Sequence, residues 1–458
     1  MMAITTSNST SVKPAPHGDC LAAVEFFELG GGACGMAGWS CVGSNAGAPA
    51  ARRREFVAAS RLTMYPRLAV LANRRAARDD WPQGVDSPPR GRDVAVVRSA
   101  IAPTPHDFTL NPAASMLAPR PAEARLIEIA RDAPGRRLAG VTLGRAQALA
   151  TLAGERHEAT AVCWIPDCFR AALALAEDLP ANLQIACEPD PPDKPCDLAL
   201  APLSMHGEAE LARETLQELA HRLEIGGRLL AATDNPRDTW LHEQLAAILP
   251  RVRKHPFDDA VVYSAVKTEP LRRRRDFSCE FALRDRGRLL KLLTRPGVFS
   301  HRRVDPGARR LMDAAEIGPG ERVLDIGCGA GAVALALAAR EPTAQVLAVD
   351  SHARAVACTQ RGAELNDLPN VSTLLSANGE YPDPGTYDLA VANPPYYAGH
   401  EIAARMVAAA HRSLRVGGRL LAVTKSPQWY AEHLPATGWR STCTSEVKRY
   451  HLVSAERA

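Results

Sequence analysis

Residues 323–338 read VLDIGCGAGAVALALA, and this stretch decides the fold. Its first four residues, Val323 to Ile326, form a short apolar run that predicts a buried strand. A glycine-rich turn then leads into an apolar helix that we expect to extend from Ala332 to about Arg340. Glycine at such a turn lets the backbone approach a ligand closely, and the helix N-terminus offers unpaired N–H groups. The stretch therefore predicts an α/β fold with a ligand site at the turn. The glycines of this turn are Gly327, Gly329 and Gly331.

Two acidic residues flank the glycine turn. Asp325 stands two residues before the first glycine, and Asp350 follows the next predicted strand, Gln345–Val349. A carboxylate at the end of that strand can accept hydrogen bonds from ribose hydroxyl groups. A glycine-rich turn and a later acid would also suit NAD, but the spacing here is GxGxG rather than GxGxxG. A carboxylate beside the turn suits a cationic or amine-bearing cofactor better than a pyrophosphate.

A third motif, Asn393-Pro394-Pro395-Tyr396, directly follows the predicted strand Leu389–Ala392. Open α/β sheets bind ligands at this carboxyl end of their strands. The prolines fix the backbone and remove two N–H donors. The Asn393 side-chain oxygen and the Pro394 carbonyl can then accept both hydrogens of a planar NH₂ group, which aims the nitrogen lone pair out of the plane. Tyr396 supplies a ring on which a base can stack.

The chemistry predicted from this motif is methyl transfer from S-adenosylmethionine to an exocyclic amine, with no metal ion. A Pro-Pro turn of purely structural use is the alternative. It does not account for the glycines, Asp325 and Asp350 occurring in the expected order. The predicted catalytic residues are Asn393, Pro394, Pro395 and Tyr396.

The second half of the chain resembles the class I methyltransferases of the small-domain family. Within these it is similar to the ribosomal RNA small subunit methyltransferase C and large subunit methyltransferase G families, which methylate N2 of a guanine in ribosomal RNA. After the two prolines those families commonly carry Phe and then His, whereas this chain has Tyr396 and Tyr397. The resemblance covers residues 280–458. Its segments are PGVFSHRRVDPGARRLM (296–312), VLDIGCGAGAVALALA (323–338), LAVANPPYYAGHE (389–401), GGRLLAV (417–423) and TSEVKRYHLVSA (444–455).

The resemblance implies a role for each residue that binds the cofactor. The glycine turn and Asp325 would hold the methionine end of S-adenosylmethionine, and Asp350 would bind its ribose. Asn378 would lie near the adenine, although many class I enzymes carry Asp there and Asn378 could simply form a turn before Gly379. The implied cofactor-binding residues are Asp325, Gly327, Gly329, Gly331, Asp350 and Asn378.

The chain also repeats itself. DLALA at 197–201 matches DLAVA at 388–392, and IGGRLLAA at 225–232 matches VGGRLLAV at 416–423. Both pairs are 191 residues apart, so we expect two tandem Rossmann-like class I methyltransferase domains that arose by duplication. In the first copy the NPPY motif is replaced, which predicts a degenerate domain that binds no S-adenosylmethionine. The replacing residues are Pro202, Leu203, Ser204 and Met205.

Three parts are expected along the chain. Residues 1–115 form a low-order extension rich in Arg, Gly and Pro. Three interpretations are open: the extension is disordered, it precedes a true start codon at Met64 or Met116, or it is a basic arm that contacts RNA. Residues 116–270 form the degenerate methyltransferase-like domain, and residues 271–458 form the catalytic domain. The Arg272–Arg275 run is expected to be a solvated linker.

Composition places the chain among soluble globular proteins. It has 458 residues, 46% of them apolar, which suits two or three domains, and a net charge of +4 that neither requires nor excludes nucleic acid. Its 11 cysteines contain no CxxC pair, so we expect reduced thiols and a cytoplasmic location. No run of 18 apolar residues predicts a membrane span.

The sequence thus predicts a monomeric S-adenosylmethionine-dependent methyltransferase whose partner is ribosomal RNA and whose target is guanine N2. Adenine N6 of a nucleic acid and glutamine N5 of a protein are alternative targets, because the NPPY motif can accept the two hydrogens of an amide NH₂ group and of a base NH₂ group in the same way. The duplicated layout favours ribosomal RNA, since the glutamine enzymes carry an unrelated helical N-terminal domain. A non-catalytic RNA-binding or assembly factor is the alternative of a different class.

Overall fold

The computed structural model describes residues 118–395, 398–447 and 449–458. The predicted low-order extension, residues 1–115, lies outside the described residues, as do the alternative starts Met64 and Met116. The described residues form two α/β domains, which belong to one compact unit.

The first domain is built on a mixed sheet of seven strands, in which six strands are parallel and one is antiparallel. The strands are β1 (Arg137–Gly140), β2 (Thr160–Trp164), β3 (Leu183–Ala186), β4 (Cys196–Pro202), β5 (Leu223–Thr233), β6 (Arg253–Pro256) and β7 (Val261–Val266). Their order in the sheet is β3-β2-β1-β4-β5-β7-β6, and β7 is the antiparallel strand. The helices are α1 (Pro121–Arg131), α2 (Gln147–Glu155), α3 (Cys168–Leu175), α4 (Ala209–Arg222) and α5 (Trp240–Ala246).

The second domain begins with a two-stranded hairpin, β8 (Cys279–Asp285) and β9 (Arg288–Thr294), and continues into a second seven-stranded sheet. The strands of that sheet are β10 (Arg322–Ile326), β11 (Gln345–Asp350), β12 (Val371–Leu375), β13 (Tyr387–Ala392), β14 (Leu414–Thr424), β15 (Trp439–Val447) and β16 (Tyr450–Arg457). Their order is β12-β11-β10-β13-β14-β16-β15. The helices are α6 (Pro306–Ala314), α7 (Ala332–Arg340), α8 (Ala353–Leu365), α9 (Glu401–Ser413) and α10 (Pro427–Ala436), with a 3₁₀ turn at Ala398–His400.

The central strands are apolar on both sides because helices cover both faces of each sheet. In the second domain, one core cluster joins Leu335 of α7 to Val391 of β13. A separate cluster on the other face joins Val407 of α9 to Ala390 of the same strand. The alternation of apolar strands and Ala/Leu-rich helices in the sequence is explained by this two-sided burial.

The two sheets share one topology, and one local irregularity recurs in both. The pairing of β4 with β5 shifts register between Cys196 and Leu198, and that of β13 with β14 shifts between Tyr387 and Leu389. These positions differ by the 191 residues that separate the sequence repeats. Two Rossmann-like domains therefore follow each other along the chain, as the sequence predicted.

Two further expectations concern membrane spans, of which the sequence predicts none, and the arginine-rich linker. Among the described residues, none of the helices is long and apolar enough to cross a bilayer. All four residues of the run 272–275 are exposed, as expected for a solvated linker, and Arg274 also forms an ion pair with the buried Glu218 of α4 at 2.7 Å. That contact fixes part of the linker to the first domain.

Candidate active site

The glycine turn between β10 and α7 has a backbone shape that glycine adopts at little cost. Gly327, Gly329 and Gly331 have φ angles of 78°, 57° and 80°, in the left-handed region where other residues are strained. A Cβ atom on Gly331 would lie 2.8 Å from the side chain of Thr359, whereas one on Gly329 would meet nothing within 4 Å. The turn is therefore packed at Gly331 and open at Gly329, where a ligand can approach the backbone.

Asp325 lies on β10 just before this turn and is 3% exposed. Its Oδ2 accepts a hydrogen bond from the backbone N–H of Ala334, in the first turn of α7, at 3.0 Å. Burial raises the pKa of the Asp325 carboxyl to about 7, and the negative charge of Asp350 adds to that shift. A cationic ligand beside such a carboxyl would favour its ionised form.

Asp350 ends β11, the strand that pairs directly with β10. Its Oδ2 accepts from the backbone N–H of Gly329 at 2.9 Å, and its Oδ1 accepts from the N–H of His352 at 2.9 Å. Burial raises the pKa of Asp350 to about 6, and these backbone hydrogen bonds oppose the shift. The structure therefore brings the predicted ribose-binding acid into contact with the glycine turn.

Asn393 follows β13 on the other side of β10, where Ala392 is in register with Ile326. The strand order reverses between β10 and β13, because β11 and β12 follow on one side of this pair and β14 follows on the other. Open α/β sheets bind ligands at such a reversal point. The side-chain Nδ2 of Asn393 donates to Oδ2 of Asp305 at 2.9 Å. This bond turns the NH₂ side of the amide toward Asp305, so that Oδ1 is the acceptor on the opposite side.

Asp305 was not among the residues that the sequence singled out. It is the N-cap residue of α6, and its Oδ2 also accepts from the backbone N–H of Ala308 at 2.9 Å. Asp305 followed by Pro306 is a sequence signal for the start of a helix, and this capping role alone explains why an aspartate stands at position 305. Its contact with Asn393 joins residues 88 positions apart and could only be found in three dimensions.

The remaining residues of the NPPY motif are described in part. Pro394 is buried and Pro395 is half-buried at the end of β13. Tyr396, together with Tyr397, lies outside the described residues. Its predicted role as a stacking ring therefore stays a prediction.

Asn378 lies in an exposed turn after β12. Its Oδ1 accepts from the hydroxyl of Ser376 at 2.8 Å and from the backbone N–H of Glu380 at 2.9 Å. This is the geometry of an Asx turn, which was one of the two possibilities for this residue. Its placement beside an adenine stays a prediction.

Comparisons with known proteins agree with this fold. A family model described as methyltransferase small domain matches residues 289–454. The ribosomal RNA small subunit methyltransferase C of Pseudomonas putida (strain GB-1) is 30% identical over 248 residues, covering 52% of this chain and 72% of that protein. The protein of the same name from Pseudomonas entomophila is 33% identical over 172 residues, covering 37% of this chain and 51% of that protein. Matches to several relatives thus span about half of the relative's length.

A solved structure matches across both domains. It is a 16S rRNA N2 methyltransferase of T. thermophilus in complex with AdoMet and guanosine. The TM-score is 0.60 at 23% sequence identity, and the match covers 74% of this chain and 92% of that chain. At this identity the likeness concerns the fold.

Fold, glycine turn and sequence matches together define a methyltransferase of the small-domain family, whose cofactor is S-adenosylmethionine. The residues present fit that cofactor, because the turn is open at Gly329, the buried carboxyl of Asp325 can complement a cationic group, and the half-buried carboxyl of Asp350 can accept hydrogen bonds from a ribose. Within this class, the chain belongs to the ribosomal RNA small subunit methyltransferase C family.

Proposed function

We propose that this chain transfers a methyl group from S-adenosylmethionine to N2 of a guanine in ribosomal RNA. The observation that carries the proposal is the position of Asn393, beside the glycine turn of β10 and with its amide oriented by Asp305. The names of the relatives support ribosomal RNA as the substrate. Guanine is supported by the ligands of the T. thermophilus structure, which are AdoMet and guanosine.

The cofactor is assigned to the carboxyl edge of β10 and β11. The open backbone at Gly329 would admit its methionine end, and Asp325 would provide negative charge near the amino group. Asp350 would accept hydrogen bonds from the ribose hydroxyls with the lone pairs that its backbone contacts do not use. When bound, S-adenosylmethionine supplies an electrophilic methyl group.

The acceptor amine is assigned to the end of β13. Oδ1 of Asn393 and the carbonyl of Pro394 would accept its two hydrogens, which directs the nitrogen lone pair toward the methyl group. As the new N–C bond forms, the bond between the methyl carbon and the sulfonium sulfur breaks, so that the amine becomes positive. These two oxygens together with the carboxylate of Asp305 stabilise that charge until the amine loses one proton to solvent. Tyr396 would hold the base by stacking on its face.

We further propose that the first domain is a degenerate copy, with residues 116–270 and 271–458 as the two domains. Strand pairing aligns Gly140 of β1 with Asp325 of β10, so that Ile165 occupies the place of Asp350. Ile165 is 1% exposed and cannot bond a ribose. Two backbone donors of the first-domain turn are also already used within the turn. The Thr142 hydroxyl oxygen accepts from the N–H groups of Gly144 at 3.0 Å and Ala146 at 3.1 Å.

Methylated nucleosides in ribosomal RNA test the proposal. We expect RNA from a strain lacking this gene to lose one N2-methylguanosine, and the loss to be restored by the wild-type chain but not by the Asn393→Ala variant. Mass spectrometry of nuclease fragments locates the nucleotide. A lost N6-methyladenosine, or a lost N5-methylglutamine in a protein, would replace guanine N2 with one of those targets. An unchanged set of modifications together with RNA binding would favour a non-catalytic assembly factor.

A further inference from the structure

A short loop of the first domain pairs with the residues just after Asp350. The backbone N–H of Cys168 donates to the carbonyl of Ser351 at 2.7 Å, and that of Ala353 donates to the carbonyl of Pro166 at 2.7 Å. Between these two bonds, Asp167 and His352 form an isolated antiparallel β-bridge. The segment 166–168 therefore pairs with the segment 351–353 as two short strands would.

One side-chain contact reinforces this pairing. The hydroxyl of Ser351 donates to Oδ2 of Asp167 at 2.8 Å. The other oxygen of Asp167, Oδ1, accepts from the backbone N–H of Arg170 at 2.9 Å and caps helix α3. Asp167 thus connects the start of a first-domain helix to the second-domain loop through a single carboxylate.

The pairing continues into the cofactor site by two further bonds. The N–H of His352 donates to Oδ1 of Asp350, and the N–H of Gly329 donates to Oδ2 of the same carboxylate, both at 2.9 Å. The position of His352 therefore fixes one oxygen of Asp350, and Asp350 in turn fixes the glycine turn. The first domain is therefore connected to the predicted ribose-binding carboxylate through two contacts, the pairing of Asp167 with His352 and the hydrogen bond from His352 to Asp350.

The residues next along the chain are also held by the first domain. Arg354, on α8, is 1% exposed. Its Nε donates to the carbonyl of Pro189 at 2.7 Å, and one of its terminal nitrogens pairs with Glu214 of α4 at 2.5 Å. Its guanidinium lies 4.8 Å from the centre of the Trp164 ring. A buried arginine with these partners anchors the far end of the loop, because breaking the pair would leave a buried charge uncompensated.

We propose that Asp167 is a positioning residue of the cofactor site, so that the first domain sets the affinity of the second for S-adenosylmethionine without binding that cofactor itself. The inference rests on the proposed function. Asp167 acts through Ser351 and His352, which hold the carboxylate of Asp350 in the orientation that the ribose requires. Preorganisation of this kind raises affinity because the loop is already ordered before the ligand binds.

Calorimetric titration of the full-length chain with S-adenosylmethionine tests the inference. Asp167→Ala removes the contact with Ser351 and is expected to weaken binding by up to about 10-fold, because part of the binding free energy must then be used to order the loop. Ser351→Ala should weaken it by a similar factor. The double variant should be no weaker than either single variant, because both substitutions remove the same bond.

Two further variants separate positioning from general destabilisation. Asp167→Asn keeps an oxygen to cap α3 and places an NH₂ group against the Ser351 oxygen, so its affinity should stay within about 2-fold of the wild type. Asp238→Ala is the matched control, because Asp238 of the first domain also accepts from an N–H three residues ahead, that of Leu241 at 2.9 Å. It should lower the melting temperature as Asp167→Ala does, with unchanged affinity.

The outcomes distinguish this inference from the proposed function. A wild-type chain that does not bind S-adenosylmethionine would overturn the proposed function. Wild-type affinity in Asp167→Ala, or an equal loss of affinity in Asp238→Ala, would overturn the positioning role and leave the proposed function intact.

Discussion

Asn393 donates from Nδ2 to Oδ2 of Asp305 across 2.9 Å, which joins the NPPY motif to the N-terminus of α6. The same carboxylate oxygen accepts from the backbone N–H of Ala308, so Asp305 is itself held in place. An asparagine that must present its oxygen to an amine needs a partner for its NH₂ group, because the two ends of an amide differ only in hydrogen bonding. Asp305 provides that partner.

Replacing Asp305 by Ser should lower turnover while sparing the cofactor site. Ser retains the ability to cap α6 but is too short to hold the Asn393 amide. We expect kcat to fall about 10- to 100-fold, the range expected for a misplaced acceptor group, with unchanged affinity for S-adenosylmethionine. Single-turnover methyl transfer and calorimetry measure the two quantities. Asp305→Ala should match the kcat of Asp305→Ser and add about 1 kcal/mol of lost stability from the missing cap. Wild-type turnover in Asp305→Ser would mean that the carboxylate serves the helix alone.

Asn393→Ala removes the acceptor itself and should reduce turnover more than Asp305→Ser does. Its affinity for S-adenosylmethionine should be nearly that of the wild type, because Asn393 is assigned to the acceptor amine. At the neighbouring position, Tyr396→Phe should be mild and Tyr396→Ala severe, since stacking needs the ring and not the hydroxyl group. Equal losses of turnover and cofactor affinity in Asn393→Ala would identify a structural role instead.

Local sequence was sufficient for the elements that carry the site. The helix expected from Ala332 to Arg340 is observed over the same residues, and the strand expected over Gln345–Val349 extends by one residue to Asp350. Apolar runs, glycines and strand ends are properties of neighbouring residues, so the sequence displays them directly.

Contacts between distant residues were not available from sequence. The bond of Ser351 to Asp167 spans 184 positions, and neither residue belongs to a motif. Asp167 has a sufficient local explanation as the cap of α3, and Arg354 looks like an ordinary helical arginine until its burial against Glu214 is seen. Such residues have two roles, and only the local one leaves a pattern in the sequence.

Asp350→Ala should weaken binding of S-adenosylmethionine by about 1.5–3 kcal/mol, the range for hydrogen bonds to a charged group. The variant also frees the N–H groups of Gly329 and His352, which are bonded to Asp350 in this structure. Asp350→Asn keeps one acceptor oxygen and should lose less affinity. Calorimetry of both variants checks this order, and unchanged affinity in Asp350→Ala would remove the residue from the cofactor site.

Cofactor affinity should fall as the pH is lowered through the range of 7 to 6. In the free chain burial raises the pKa of Asp325 to about 7 and that of Asp350 to about 6. A cationic ligand that donates hydrogen bonds favours the ionised carboxyls, so their pKa values are lower in the complex and binding releases protons at pH values near or below the free pKa. Affinity is then greatest above pH 7 and decreases by up to about 10-fold per pH unit for each proton released.

Proton release can be measured directly by titrating in two buffers of different ionisation enthalpy. Asp350→Asn should abolish the component centred near pH 6 and retain the one attributed to Asp325. Affinity that is constant from pH 8 to pH 5.5 would show that neither carboxyl changes ionisation on binding.

One equivalent of S-adenosylmethionine should saturate each chain, although the chain contains two domains of the same topology. In the first domain the place of Asp350 is taken by the buried Ile165. The buried carboxylate of Glu123 accepts from the Thr142 hydroxyl at 2.7 Å and from the N–H of Leu143 at 3.1 Å, so groups that could meet a ligand are already bonded to one another. Binding a cofactor there would break these buried hydrogen bonds at a cost in free energy. The first domain has no acidic residue in the place of Asp350 whose bonds to the ribose could offset that cost.

Calorimetry gives the stoichiometry, and the Asp350→Ala variant shows which domain is responsible. We expect one site in the wild type and, at the same concentrations, a single weakened site in the variant, with no second site of wild-type affinity. Two equivalents bound by the wild type, or a wild-type site that survives in Asp350→Ala, would assign cofactor binding to the first domain and contradict its description as a degenerate copy.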